Sequence, residues 1–308
     1  MFVSDSIWWD RYELPTWLVA VAIYSCWFLL TLNHQLVPWW VLFIAGGYVV
    51  CWHGSLQHEA LHGHPTRIKA VNTALAVAPL SLWVPYKRYR QTHLAHHKTD
   101  SLTDPYEDPE SFYCSESTWT QLSRWRQHLH IITNTLAGRL LVGPIIVCIE
   151  FWKKDFKMAL SGDWTIIRVW IEHLLLSALL LFWLLAVCEM PIWKYIICFA
   201  YPGLSLTLLR SFGEHRAAQD ASQRTAFVKS GWLGQLLYLN NNLHCVHHDN
   251  PALSWHKIPT RYHSTAQSYS DLDSSMYYSG GYWEIIKTYL FKPVIQPTYP
   301  FASVATHR

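Results

Sequence analysis

The chain has 308 residues, 51% hydrophobic and only 15% charged, with a formal net charge of +3. Soluble domains carry roughly 25% charged residues, and a balance this mild, without a basic stripe, excludes a nucleic-acid binder. The 18 Trp and 17 Tyr suit a chain whose rings anchor at membrane interfaces.

Four apolar segments reach the ~20 residues needed to cross a bilayer: 15–32, 38–57, 166–187 and 191–209. Residues 1–14 read as a short amphipathic lead-in carrying Trp8 and Trp9. No basic leader precedes the first apolar run and no small-residue cleavage site follows it, so it reads as a retained span and not a signal peptide. Gly46-Gly47 in the second span permits close helix contact. That span continues without a breaker into His58-Glu59-Ala60-Leu61-His62 and stops at Gly63 and Pro65. The stretch 71–85 is short and broken by Pro79, so it reads as an interfacial or re-entrant piece.

A basic, aromatic run leads into His93-Leu94-Ala95-His96-His97, and an acidic, turn-rich loop over 103–110 follows. The spacing over 119–156 predicts one or two amphipathic helices on the membrane, interrupted at Pro144. Ser161-Gly162-Asp163 signals the start of the third span. The fourth span ends near Arg210, and a polar helix with Glu214 and His215 leads to His244-Cys245-Val246-His247-His248. The expectation is an all-α membrane protein with about four transmembrane helices plus interfacial amphipathic helices, forming one domain over residues 1–308. The links 33–37 and 189–191 carry no Lys or Arg, whereas the long stretches are basic. This puts all three histidine boxes and both termini in the cytoplasm, with a bacterial chain lying in the inner membrane. The seven cysteines are scattered, without C-x-x-C spacing, so structural disulfides are not expected.

Residues three and four apart share a helix face, so each box aims two or three imidazoles at one point. Neutral imidazole suits Fe, Zn, Cu and Ni. Eight such ligands exceed the needs of one metal and suit two, with positions left for a reactant. A lone surface histidine is usually solvated, but three boxes, two of them H-x-x-H-H, form a specific set. His58-Glu59-Ala60-Leu61-His62 also satisfies H-E-x-x-H, the zinc-protease signature. That reading leaves the other two boxes without work.

The three boxes interleaved with four spans, with Asp249-Asn250-Pro251 after the last, resemble the membrane fatty acid desaturase/hydroxylase superfamily. The resemblance runs from the second span to the third box, and the spacing of the first box is closer to acyl-lipid desaturases and carotenoid-modifying relatives. It implies an O2-dependent oxidoreductase in which two Fe ions are held by His58, His62, His93, His96, His97, His215, His244, His247 and His248. A fatty-acyl desaturase forming a C=C bond is the first expectation. A hydroxylase, ketolase or oxidative decarboxylase acting on a fatty acid, hydrocarbon or carotenoid is the alternative.

The resemblance places an outer, water-mediated Asn contact where this chain has Ser211. His64 and Asn242 are further outer candidates, and carboxylates that orient ligating rings are sought among Glu59, Asp100, Asp104, Glu107, Asp108 and Asp249. His53 faces another direction from the box, and His128 and His130 do not share a face. Glu172 and His173 read as polar contacts within the bundle, Cys245 as packing, and His256, His263 and His307 as surface. The chain has neither a His-Pro-Gly-Gly haem motif nor a Gly-x-Gly-x-x-Gly loop. Electrons are therefore expected from a separate donor such as a ferredoxin or rubredoxin with its reductase. Lys87, Arg88, Arg90, Arg124 and Arg126 offer a basic surface for it, though positive-inside retention explains them equally well.

Overall fold

The computed structural model describes residues 7–220, 223–265 and 276–301. Expectations for residues 1–6, for 266–275 and for His307 lie outside these. Among the described residues, four helices are long and apolar enough to span a membrane. A short helix α1 (Ile7–Arg11) leads into the first span, α2 (Leu14–Leu32). The second, α3 (Trp39–Leu61), continues past the apolar span into the first box as expected, carrying His58 on its last turn, with His62 at its cap. Gly63 then turns the chain at φ +104, a conformation that a Cβ disfavours. Next come α4 (Lys69–Ala76), too short to span, and α5 (Tyr86–His96), which bears the second box.

The region expected to hold one or two helices holds four shorter ones: α6 (Glu116–Gln121), α7 (Arg124–Thr133), α8 (Leu136–Leu141) and α9 (Gly143–Leu160). Pro144 starts α9 instead of interrupting a helix, because first-turn residues need no N–H bond. Helix α8 is not a surface piece: Leu136, Gly138 and Arg139 are buried in it. The third span is α10 (Trp164–Phe182) with a π-helical turn over Trp183–Val187. Its cap is Asp163, which accepts from the amides of Thr165 and Ile166. The fourth joins α11 (Ile192–Tyr195), a π-helical turn over Ile196–Ala200 and α12 (Tyr201–Glu214).

Helix α3 is central, packed on α2 and on the fourth span. The backbones approach closely because small residues face one another. A Cβ on Gly46 would lie 2.5 Å from the Cys198 carbonyl, and one on Gly203 would lie 2.6 Å from Val50 Cγ1. Several polar atoms inside the bundle find partners there, as a bilayer favours. Trp27 Nε1 donates to Tyr195 OH at 2.9 Å, and that hydroxyl donates to the Leu80 carbonyl at 2.7 Å. All seven cysteines are free.

After the fourth span come β1 (Phe227–Val228), α13 (Trp232–Leu237), α14 (His244–Asp249), α15 (Ile258–Thr265), β2 (Tyr277–Tyr278) and α16 (Gly281–Tyr289). Strands β1 and β2 pair in parallel, Phe227 with Tyr277 and Val228 with Tyr278. This small sheet positions the site. The chain leaves α12 extended at His215, which bridges to Thr225, while the Ala226 amide donates to the Glu214 carbonyl at 2.9 Å. Two residues on, the Val228 amide donates to the Asn242 carbonyl and Asn242 Nδ2 donates back to the Val228 carbonyl. One extended segment thus ties the end of the fourth span to the third box.

Candidate metal centre

The nine histidines converge as two adjacent groups. His58, His62, His93, His97 and His247 form one, and His96, His215, His244 and His248 the other; within each, the candidate ligand atoms lie within 4.8 Å of one another. Helix α5 serves both: His93 and His97 face the first group, and His96 faces the second. The groups touch where the His97 and His248 rings stack at 4.4 Å.

Ring orientation shows what the groups suit. Asp108 holds His96 Nδ1 at 2.7 Å, Glu110 holds His93 Nδ1 at 3.1 Å, and Asn241 holds His244 Nδ1 at 3.1 Å. His215 Nδ1 meets the Arg224 carbonyl at 3.2 Å. With Nδ1 engaged, Nε2 is left to point inward, the usual arrangement of ligating imidazoles. Nε2 atoms meet there at about 3 Å: His93 with His97 at 3.0 Å, His97 with His247 at 3.1 Å, His215 with His244 at 2.9 Å and His244 with His248 at 3.1 Å. The buried Nε2 atoms of His58, His62 and His96 have no hydrogen-bond partner. Inward nitrogens, several without protein partners, fit a bound cation in each group.

Burial, and then repulsion among neighbouring imidazoles, also keeps six of these rings neutral. It lowers His62 to about 2 and His97 to about 3, holds His215 at about 3, and depresses His244, His247 and His248 well below the ordinary value. Neutral imidazole is the form that binds metal. His96 differs: burial, the largest single influence, lowers it, but the Asp108 hydrogen bond and the charges of Glu110, Asp108 and Glu214 together raise its value.

The outer contacts differ from expectation. Of the acids sought, Asp108 orients a ring of the second group. Glu59 turns away to accept from the Trp255 amide at 3.1 Å. Asp104 accepts from the amides of Tyr106 and Glu107 and shapes the acidic loop. Asp100, Glu107 and Asp249 are exposed. His64 pairs with Glu13 at 2.6 Å, and Ser254 joins that pair through Glu13 at 2.7 Å. Asn242 serves the backbone of β1. Ser211 donates to the Leu208 carbonyl at 3.3 Å and lines a small cavity with His215, Asp108 and Glu110.

Sequence reasoning missed Glu110, Asn241 and Glu214. Glu214 Oε1 lies 3.4 Å from His244 Nδ1 and forms a buried ion pair with Arg210 at 2.9 Å, bent too far for a hydrogen bond. The Asn241-Asn242 pair just before the third box is the signal in the sequence, and Asn241 takes the ring while Asn242 turns to β1.

The remaining histidines lie apart from both groups. His53 meets Tyr24 OH at 3.2 Å, His128 the Arg124 carbonyl at 2.7 Å, and His173 the Leu82 carbonyl at 3.0 Å. His130 packs beside Cys114, and exposed His263 is at the surface as expected. His256 is half-buried against Trp255, not a surface residue. Cys245 packs against Thr225. Glu172 pairs outward with Lys87 at 2.5 Å, not within the bundle. The expected basic surface loses Arg88, whose side chain is 4% exposed and paired with Asp155.

Asp108→Asn keeps the size of the side chain but removes the charge that holds His96. The expected result is about 10- to 100-fold weaker metal binding, read as the chelator concentration that strips the protein. Binding equal to that of the unaltered protein would show that the contact does not orient the ring.

No curated protein matches the chain in a sequence search. The fatty acid desaturase family does match, over residues 34–279. That stretch contains all three boxes, His215 and the last three spans, so the chain belongs to the fatty acid desaturase family, and it is a membrane oxidoreductase that acts on lipids.

Proposed function

We propose that the chain is a fatty-acyl desaturase that uses a di-iron centre. The observation that carries this reading is the division of nine histidines, five buried and four half-buried, into two touching groups of five and four. Bound there, two irons would supply the O2 activation that removal of hydrogen from an unactivated methylene requires. The balance is R–CH2–CH2–R plus O2, two electrons and two protons, giving R–CH=CH–R and two waters.

The protein's own part is to place and hold the ligands. Asp108, Glu110, Asn241 and the Arg224 carbonyl keep Nε2 of four rings inward. Burial excludes bulk water from those nitrogens, which protects a reactive site from side reactions. The H-E-x-x-H protease reading needs Glu59 as a base beside a metal-bound water. Glu59 instead holds the Trp255 amide, and five imidazoles surround its motif instead of three ligands.

In this proposal residues 1–308 act as one integral-membrane domain, with the boxes and both termini cytoplasmic. A separate ferredoxin or rubredoxin supplies the electrons. The test is to purify the protein, count bound metal, and supply O2, a reduced donor and a saturated acyl lipid. The expected product has lost two hydrogens, with two irons bound per chain. A product that has gained oxygen would replace desaturation with hydroxylation, and a single zinc with no O2 requirement would overturn the proposal.

A further inference from the structure

One carboxylate oxygen behind the second group has two claimants. Glu214 Oε1 lies 2.9 Å from Arg210 Nε and 3.4 Å from His244 Nδ1. His244 Nδ1 also meets the neutral Asn241 Oδ1 at 3.1 Å, so the ring sits between a neutral acceptor and an anionic one. His244 is central to its group: its Nε2 lies 2.9 Å from that of His215 and 3.1 Å from that of His248. Charge behind this ring therefore acts on the middle of the group.

The two charges do little for the helix that carries them. Arg210 and Glu214 stand four residues apart on α12, so their pair fastens no second element. Glu214 closes that helix, where the carbonyls of the last turn repel an anion. A base followed by its acid is also the less favourable order at this spacing. Both side chains are nearly inaccessible, 10% and 6% exposed, at the end of a membrane span. Ionisable groups withdrawn from water in such a place point to function.

Arg210 is the nearer claimant, yet neither contact is a formed hydrogen bond. Arg210 Nε and Glu214 Oε1 are both buried without a hydrogen-bond partner. A carboxylate oxygen so placed is one small side-chain movement from a charge-assisted bond to His244. Such a bond is about twice as strong as one to a neutral acceptor like Asn241.

We infer that Glu214 is a positioning residue for His244 and that Arg210 restrains it, so that this pair sets how strongly the second group holds a cation. While Arg210 keeps the carboxylate, His244 leans on neutral Asn241. Without Arg210 the carboxylate moves onto Nδ1, the ring becomes a stronger donor, and a negative charge stands behind it. Without the Glu214 charge, Arg210 is left as a bare cation that repels the ion. The inference rests on the two-metal reading above and adds to it the residues that tune one of the two positions.

The experiment uses the full chain in detergent, stripped by a chelator and reloaded with cobalt(II) buffered by a competing chelator. The parent, Arg210→Met and Glu214→Gln are compared, with Arg210→Gln in place of Arg210→Met should the latter not fold. Glu214→Gln is expected to need about tenfold more free cobalt for half-loading, and Arg210→Met about tenfold less. The Arg210→Gln/Glu214→Gln double variant, in which no charge is left alone, should fall between them. A pair that merely holds the helix end together would weaken loading in both single variants. That result, or unchanged loading in Glu214→Gln, would overturn the inference.

Reduction of the iron-loaded protein is the second readout. Its midpoint potential should fall in Arg210→Met and rise in Glu214→Gln, because nearby negative charge favours the more positive, oxidised ion. Shifts in one direction would overturn the inference as well. A parent that takes up fewer than two cobalt ions would overturn the two-metal reading, and the inference with it. Two ions in the parent, with single variants that shift together, would overturn the inference alone.

Discussion

His97→Ala is expected to lower turnover by more than about 100-fold, beyond the 10- to 100-fold typical of losing an outer contact to a ligand. It is also expected to lower metal in both groups. The reason is position. His97 Nε2 meets His93 at 3.0 Å and His247 at 3.1 Å within the first group, and its ring stacks on His248 of the second at 4.4 Å. His62→Ala makes the informative comparison, because His62 belongs to the first group alone. Elemental analysis of the two purified variants should show the lower metal-to-protein ratio for His97→Ala. Full metal and full turnover in that variant would remove it from the centre.

Arg88→Met should cost about 3–5 kcal/mol, the usual result of leaving one partner of a buried ion pair alone. Whole domains are stable by only about 5–15 kcal/mol, so this is a large share. Arg88 Nε and Nη2 grip Asp155 at 2.9 and 2.7 Å, and Trp170 Nε1 donates to the same carboxylate at 2.9 Å. Both charged side chains are nearly inaccessible, 4% and 2% exposed. The pair fastens α5 to α9 one turn and a half before His93, so metal content should fall along with stability. Adding Asp155→Leu should recover part of the loss, because no charge is then stranded. The Trp170 N–H left without its acceptor keeps a residual of about 1–3 kcal/mol. Thermal unfolding of the single and double variants measures this, and additive losses would show that the two side chains do not act as a pair.

The spans and most of the clustering histidines were legible because their signals are local. A run of about 20 apolar residues announces itself, and three- and four-residue spacing places histidines on one face. His215 was found through its resemblance to a family position, not through spacing. What supports the ligands was less legible, because those contacts join distant residues. Glu110 reaches back to His93 across an irregular loop, so no periodicity pairs them. Arg88 reads in sequence as one more cation in a basic run, and only the packing of α9 against α5 reveals that it is interior. Pro144 misled because proline ends one helix and begins another equally well.

His96 and His97 are neighbours in the chain, yet they belong to different groups. Two consecutive residues on one backbone act as a ruler, so if each group held an ion, the distance between the two would be bounded by the length of a peptide unit and two side chains. Loading is coupled for the same reason. An ion bound by His93 and His97 orders α5 and with it His96, so the second ion meets a donor whose conformational freedom is already spent. The half-filled protein should therefore be scarce during titration with metal, and filling should be steeper than two independent sites would give.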